Sequence, residues 1–332
     1  MCYPDMENYI KFQFQLLEEF DESIQPNPKK KGRPKAYSDA SMIVFFAIMT
    51  LKGFNEFRAQ HRWLLAHPLW ILKLKLPKLP SRRTISRRYK DVDSKLVSFV
   101  TFVGDWATPL GSDFNMERVY EDKSLFKAKG PVWHKKDREA NRVPKDLRNL
   151  DQEATWSKSG YHGWVYGYGL HTTVTEAGFP LMVRVETAAV SEKAVLDQKK
   201  EKLLERNIGY LVADDGYTDL TRTEELAKKG LLLMTPAIGA TSRKGRCYIQ
   251  YTTQPLLESV LSKRKTAVEP IFDLIKRLLS TSNNHKQLPV RGQANVATFL
   301  ALGVVILQFA MLINSIWGLP LRNVTHIITL FR

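Results

Sequence analysis

The chain has 332 residues, of which 44% are hydrophobic and 25% are charged, a composition typical of a folded protein and not of a disordered or fibrous one. Its 50 Lys and Arg exceed its 34 Asp and Glu, so the net charge of +16 favours a polyanionic partner. The charge is spread over several segments that also carry aromatic residues, which favours nucleic acid over a membrane surface. Two cysteines exclude a disulfide framework and a cysteine-rich zinc module.

Residues 1–110 are predicted to form a helical DNA-binding domain. The beginning of the chain lacks the apolar stretch of a signal peptide, which indicates a cytoplasmic protein. Residues 26–35 read P-N-P-K-K-K-G-R-P-K, a basic linker that is either a solvated connector or an arm for the minor groove of DNA. A densely apolar helix is expected from Ser38 or Asp39, and a second helix over residues 54–67.

The helix that begins at Ser81 is the candidate DNA-binding element of this domain. Its sequence is S-R-R-T-I-S-R-R-Y-K, and the predicted DNA contacts are Arg82, Arg83, Arg87 and Arg88. Five residues turn a helix by about 140°, so these arginines cannot all share one face. The alternative interpretation is a solvated cationic surface that binds nothing. A further helix is expected over residues 91–107.

Residues 111–332 are predicted to form a second domain with a different pattern. Strands are expected at 118–125, 163–175, 179–187, 209–214 and 231–235, and helices at 191–206, 218–229 and 263–279. This order, βββαβαβα, is the plan of an RNase H-like mixed α/β sheet. Residues 239–256 are too few for a large inserted domain.

Three acidic residues are the candidate catalytic and metal-binding groups. Asp122 and Asp214 each end a predicted strand, and Glu269 lies on the helix that follows the last strand. Carboxylates packed together repel each other unless cations neutralise them, and Mg²⁺ prefers oxygen ligands, so two Mg²⁺ ions fit such a site. Two ions of this kind promote in-line phosphodiester chemistry. A chain with 34 acidic residues offers other triples, and spacing alone does not select this one.

The sequence around these acids resembles the DDE transposases of bacterial insertion sequences over nearly the whole chain. The matching motifs are G-R-P-K at 32–35, P-S-R-R-T-I-S-R-R at 80–88, E-D-K-S at 121–124, G-P-V-W-H-K-K-D at 130–137, G-W-V-Y-G-Y-G-L-H at 163–171, A-A-V-S-E at 188–192, A-D-D-G-Y at 213–217, V-E-P-I-F-D-L-I-K at 268–276 and R-G-Q-A-N-V at 291–296. The resemblance implies an RNase H-like core in which Asp122, Asp214 and Glu269 bind Mg²⁺, for which Mn²⁺ can substitute. The neighbouring acids Glu121 and Asp215 are expected to face away from the site, with Glu121 in solvent.

The resemblance also implies the reaction and the partners. We expect cleavage and strand transfer of double-stranded DNA at the terminal inverted repeats of the element, with joining to target DNA, by a homodimer on DNA. Two alternatives stay open: a catalytically silent DNA-binding protein descended from such an enzyme, and a related nuclease that cuts without joining. No nucleotide-binding loop, H-E-x-x-H or G-x-S-x-G motif is present, and His134, His162 and His171 lack zinc-site spacing. For His171 a structural hydrogen bond is favoured over catalysis.

Further DNA contacts are predicted near these acids. Residues 123–148 carry nine Lys and Arg against three acids, so this excursion either holds DNA or is a mobile basic loop. The family's final helix has Tyr and Arg before its Glu, where this chain has Ser262 and Lys265. The remaining predicted contacts are Trp133, Lys135, Lys136, Arg264, Lys265 and Lys276.

The segment 294–321 contains no charged residue, and 297–317 is long enough to cross a bilayer. Asn295, Thr298, Gln308 and Asn314 interrupt it. The resemblance implies a helix packed against the catalytic core, with no membrane, and a membrane anchor is the competing hypothesis.

Overall fold

The computed structural model describes residues 5–24, 35–145, 147–160, 163–236, 255–281 and 287–331. Residues 26–34 of the predicted linker, residues 239–254 and His162 lie outside these ranges. The chain divides into two compact units, one formed by residues 1–103 with 275–332 and the other by residues 104–274. The division differs from the expected boundary at 110/111 because the C-terminal residues group with the N-terminal helices.

The first unit is helical. Its helices are α1 (Met6–Ser23), α2 (Asp39–Leu51), α3 (Phe57–Ala66), α4 (Leu69–Lys73), α5 (Arg82–Asp91), most of α6 (Asp93–Ala107), the end of α10 (Pro255–Leu278), α11 (Gln293–Ile316) and α12 (Thr325–Phe331). The predicted caps are confirmed: the Ser38 hydroxyl accepts from the Ser41 N–H at 3.0 Å and the Ser81 hydroxyl accepts from the Thr84 N–H at 3.1 Å. Such side chains satisfy N–H groups that the first helical turn leaves unpaired.

Helix α11 forms the core of this first unit. It is long and apolar enough to span a bilayer, but its apolar stretch is buried within the protein, where it packs against α2 and α5. The Thr298 hydroxyl donates to the Tyr89 carbonyl at 2.7 Å, and the Gln308 amide donates to the Val100 carbonyl at 2.8 Å. Two of the polar residues in this helix thus bond to N-terminal helices of the same unit.

The second unit contains a six-stranded mixed sheet. Its strands are β1 (Arg118–Lys127), β2 (Thr155–Ser159), β3 (Gly163–Thr175), β4 (Pro180–Thr187), β5 (Tyr210–Val212) and β6 (Leu232–Met234). β3 pairs antiparallel with β1, β2 and β4, whereas β5 pairs parallel with β1 and β6. Three antiparallel strands followed by two parallel ones confirm the RNase H-like core, and the short β2 is an addition that the sequence did not predict.

Helices connect the parallel part of this sheet. α8 (Glu192–Leu204) lies between β4 and β5, α9 (Leu220–Lys228) lies between β5 and β6, and α10 follows β6. The Ser191 hydroxyl caps α8 by accepting from the Ala194 N–H at 3.2 Å. A short helix, α7 (Lys135–Glu139), lies in the basic excursion between β1 and β2.

Candidate active site

The parallel pairing of β1 with β5 brings two of the predicted acids together. Tyr120 lies opposite Val212 in this pair. Continuing the register by two residues places Asp122 opposite Asp214. Asp214 follows β5 and caps the 3-10 turn Asp215–Tyr217, with its Oδ1 accepting from the Gly216 N–H at 3.1 Å. Asp122 lies in the middle of β1 and not at its end, so the predicted strand end there is wrong, whereas Asp214 does follow the last residue of β5.

The third acid, Glu269, lies on α10 and is connected to Asp122 by an arginine. The Arg264 guanidinium donates from Nη1 to Asp122 Oδ2 at 2.7 Å, and its Nη2 lies 3.7 Å from Glu269 Oε1. The Glu269 side chain is 53% exposed, compared with 13% for Asp122. The site is therefore open to solvent on the side of α10, and Arg264 lies in it as a counter-ion.

The negative charge of the carboxylates in this site exceeds the positive charge of the cations around them. Burial raises the pKa of Asp122 to about 7, and repulsion from Asp214 and Glu269 adds to the effect, while Arg264 and the Lys123 N–H oppose it. Burial also raises the pKa of Asp214, helped by Glu192 and Asp215 and opposed by Arg264. One arginine does not balance these acids, so the site would be stabilised by a further cation.

The donor set fits a hard divalent cation because it consists of carboxylate oxygens, and burial raises the pKa of both Asp122 and Asp214. Within the described residues, no three acidic, His or Cys side chains already stand close enough together to form a metal cluster. Asp122 and Glu269 instead share Arg264.

Glu121, expected in solvent, is fully buried, so that expectation is wrong. Its carboxylate accepts from Lys199 Nζ on α8 at 2.7 and 2.9 Å, from the Tyr217 hydroxyl at 3.3 Å and from the Thr173 hydroxyl. Sequence reasoning missed these partners because nothing local to Glu121 indicates them. Of the two aspartates in A-D-D-G-Y, Asp215 is exposed to solvent whereas Asp214 is half-buried.

The predicted DNA-binding helix α5 exposes three of its four predicted arginine contacts to solvent. Arg82, Arg83 and Arg87 are exposed, as is Lys90. Arg88 is buried, with its guanidinium paired to the Asp39 carboxylate of α2. Arg88 is thus misassigned as a DNA contact, because its position on the helix points it into the first unit.

The basic excursion of the second unit is organised by tryptophans. Trp133 is buried, and its indole N–H donates to the Arg142 carbonyl at 3.0 Å, so it orders the loop and does not present a face to DNA. The Trp156 indole donates to the Trp133 carbonyl at 2.9 Å. Lys135 and Lys136 on α7 are exposed. The described part of the excursion thus presents cations from a segment held by two indole hydrogen bonds.

The other predicted residues lie on α10 or inside the sheet. Lys265 is exposed and Lys276 is half-buried, while Ser262, at the family's Tyr position, is exposed. His171 is fully buried, and neither ring nitrogen has a hydrogen-bond partner among the described residues, so the expected structural hydrogen bond is wrong. Burial, with Lys199 and Lys123 nearby, lowers the pKa of His171 to about 2, which leaves the ring neutral.

Comparison with known proteins finds a family model that matches the part of the chain containing Asp214 and Glu269. Residues 134–287 match the family model described as a transposase DDE domain, a range that contains Asp214 and Glu269 and begins after Asp122. A solved structure, a pre-cleavage Mos1 transpososome, aligns over 87% of this chain and 81% of its own at 8% identity, with a TM-score of 0.19. No curated protein matches the chain. Residues 134–287 are therefore similar to a transposase DDE domain.

Proposed function

We propose that this protein is a transposase that cleaves DNA at the terminal inverted repeats of an insertion sequence and joins the freed ends to target DNA. The proposal is supported by the parallel pairing of β1 with β5, since continuing its register by two residues beyond Tyr120 and Val212 puts Asp122 beside Asp214. Arg264 also supports it, because its guanidinium pairs with Asp122 and Glu269. The three acids come from separate elements: Asp122 from β1, Asp214 from the turn after β5, and Glu269 from α10.

Asp122, Asp214 and Glu269 would hold two Mg²⁺ ions, or Mn²⁺ in their place. When bound, such ions activate the attacking oxygen and stabilise the leaving oxygen of a phosphodiester. Asp122 would release a proton on taking up a cation near neutral pH, since its pKa is about 7. Arg264 is oriented into the same site and would neutralise the negative charge that the acids and a DNA phosphate share.

Double-stranded DNA is the proposed partner of both units. In the first unit, the exposed cations of α5 supply phosphate contacts, and Lys276 on α10 is a further candidate. In the second unit, the candidates are Lys135, Lys136 and Lys265. We propose a homodimer on DNA in the cytoplasm, with no membrane partner because the apolar helix α11 is covered by protein.

The test is cleavage of a labelled duplex that ends in the inverted repeats flanking the gene, with purified full-length protein and Mg²⁺. Asp122→Asn, Asp214→Asn and Glu269→Gln should each lower the cleavage rate by at least about 1,000-fold, equivalent to roughly 4 kcal/mol of barrier, while DNA binding persists. Asp215→Asn is the matched control, because it removes an exposed acid beside Asp214 and should leave cleavage intact.

The products separate the proposal from its alternatives. A wild-type protein that cuts the repeat ends but never joins them to target DNA is a nuclease. One that binds the repeats and makes no cut with Mg²⁺ or Mn²⁺ is a silent DNA-binding protein. Cleavage by the three acid variants at the wild-type rate contradicts the site itself.

A further inference from the structure

A buried polar network lies on the other face of β1, behind Asp122. Neighbouring residues of a strand point to opposite faces. Glu121 is accordingly fully buried on one face, whereas Asp122 on the other face is partly exposed. Glu121 and Lys199 are both almost fully buried, and Lys199 Nζ also lies 3.0 Å from the Thr173 hydroxyl of β3. The network therefore joins β1, β3 and α8 through charged hydrogen bonds that are shielded from water.

Helix α8 contacts β1 at the residue before Asp122 and at the residue after it. Lys199 binds Glu121, the residue before Asp122, and Glu192 lies 3.3 Å from the Nζ of Lys123, the residue after it. Lys123 Nζ also donates to the carbonyls of residues 188 and 190, at 3.1 and 2.9 Å, just before α8. Positions 192 and 199 are about two helical turns apart, so they share a face of α8.

The same network reaches the second acid. Tyr217 ends the 3-10 turn that Asp214 caps, and its buried hydroxyl donates to Glu121 Oε1 at 3.3 Å. The Tyr217 N–H donates to the Asp214 carbonyl at 3.2 Å. Glu121, next to Asp122, and Tyr217, three residues after Asp214, are thus bonded to each other behind the site, which links the position of Asp214 to that of Asp122.

Stability alone does not explain this construction. Replacing a buried ion pair by apolar side chains of similar volume is often neutral or stabilising, because burying two charges costs about as much as their attraction returns. Directional hydrogen bonds, unlike apolar contacts, fix the geometry of the backbone segments that carry Asp122 and Asp214.

We propose that Glu121, Lys199 and Tyr217 are positioning residues that set the separation of Asp122 from Asp214 for cation binding. The proposal rests on the proposed function, since it takes these acids as the metal-binding pair. It assigns the three buried residues no contact with DNA or metal.

The experiment compares Tyr217→Phe with Tyr168→Phe in the full-length protein. Tyr168 is a matched control: it is equally buried in the same unit, and its hydroxyl donates to the Asp151 carboxylate at 3.0 Å, so each variant removes one buried hydroxyl bonded to a carboxylate. Two measurements are made: Mn²⁺ affinity without DNA, by electron paramagnetic resonance of the free ion, and amide hydrogen exchange of peptides spanning 213–219 without metal.

Tyr217→Phe should weaken Mn²⁺ binding by about 10-fold, the lower end of the effect of residues that orient metal ligands, and should speed exchange in 213–219. Tyr168→Phe should do neither, even where its melting temperature falls equally. Wild-type affinity and exchange in Tyr217→Phe, or the same changes in both variants, would overturn the proposal.

The exchange measurement separates this inference from the proposed function. If the wild type binds no Mn²⁺, the proposed function fails, and the exchange comparison still decides whether the network holds the Asp214 turn. If the wild type binds Mn²⁺ and cuts DNA but Tyr217→Phe matches it in both measurements, the positioning role alone fails.

Discussion

The two faces of β1 treat adjacent acids in opposite ways. Glu121 is fully buried but has a lysine and two hydroxyls around its carboxylate. Asp122 is more open, yet it shares one arginine with other acids, and burial and repulsion raise its pKa to about 7. A buried acid with a structural role therefore has a full set of partners in this fold, whereas the acid that we propose binds a cation has too few.

The largest expected effect on stability comes from removing a partner of Glu121, the acid with a full set of partners. Lys199→Met leaves Glu121 buried without its cation and should lower the free energy of unfolding by about 3–5 kcal/mol. Denaturant unfolding measures it. The double variant Glu121→Gln, Lys199→Met removes both charges and should recover most of the loss. A single variant as stable as the wild type would contradict the account of this network.

Substitution of Asp122, the acid with too few partners, should change stability in the opposite direction and stabilise the protein. The pKa of Asp122 is raised in the folded state from 3.8 to about 7, so between these pH values the folded protein binds more protons than the unfolded chain, and stability falls as pH rises. Asp122→Asn removes this cost and should stabilise the metal-free protein by up to about 4 kcal/mol above pH 7.

Thermal unfolding over pH 4–8 in a chelating buffer checks this prediction. The advantage of Asp122→Asn should grow through the window from about 4 to about 7 and vanish at the acidic end, where Asp122 is protonated in both states. A variant that is less stable than the wild type at pH 8 would show that Arg264 already compensates Asp122 fully.

A smaller effect extends the comparison to α5, where two adjacent arginines differ in the same way. Arg88→Ala removes a buried partner of Asp39 and should cost about 1–3 kcal/mol, because Asp39 keeps only its lysine partners. Arg87→Ala, at an exposed position, should change stability by less than about 0.5 kcal/mol.

DNA binding should show the reverse order for these two variants. Arg87→Ala should flatten the slope of log affinity against log salt by about 0.9 if it contacts one phosphate, while Arg88→Ala should leave that slope unchanged in the folded fraction. Fluorescence anisotropy with a repeat-end duplex at several salt concentrations measures both. An unchanged slope for Arg87→Ala would shift the DNA contacts to the basic excursion around α7.

Local sequence patterns were enough to predict most of the helices and strands and to single out the candidate acids, although not the short strand β2. Ser38, Ser81 and Ser191 begin helices because a hydroxyl can satisfy the N–H groups three residues ahead, a local interaction that a local pattern records. The end of β5 just before Asp214 could be predicted for a similar reason, since the turn residues that follow mark where a strand stops, whereas Asp122 lies in the middle of β1 and not at its end.

Tertiary structure alone decided which charged side chains are buried and what they bind. Glu121 meets Lys199 across 78 residues, Arg88 meets Asp39 across 49, and Thr298 of α11 meets Tyr89 across 209. Arg264 reaches Asp122 across 142 residues. A charged residue has the same local pattern whether it faces water or a distant partner. Burial, and with it the division between residues that hold the fold and residues available to a ligand, is therefore fixed only when these elements pack.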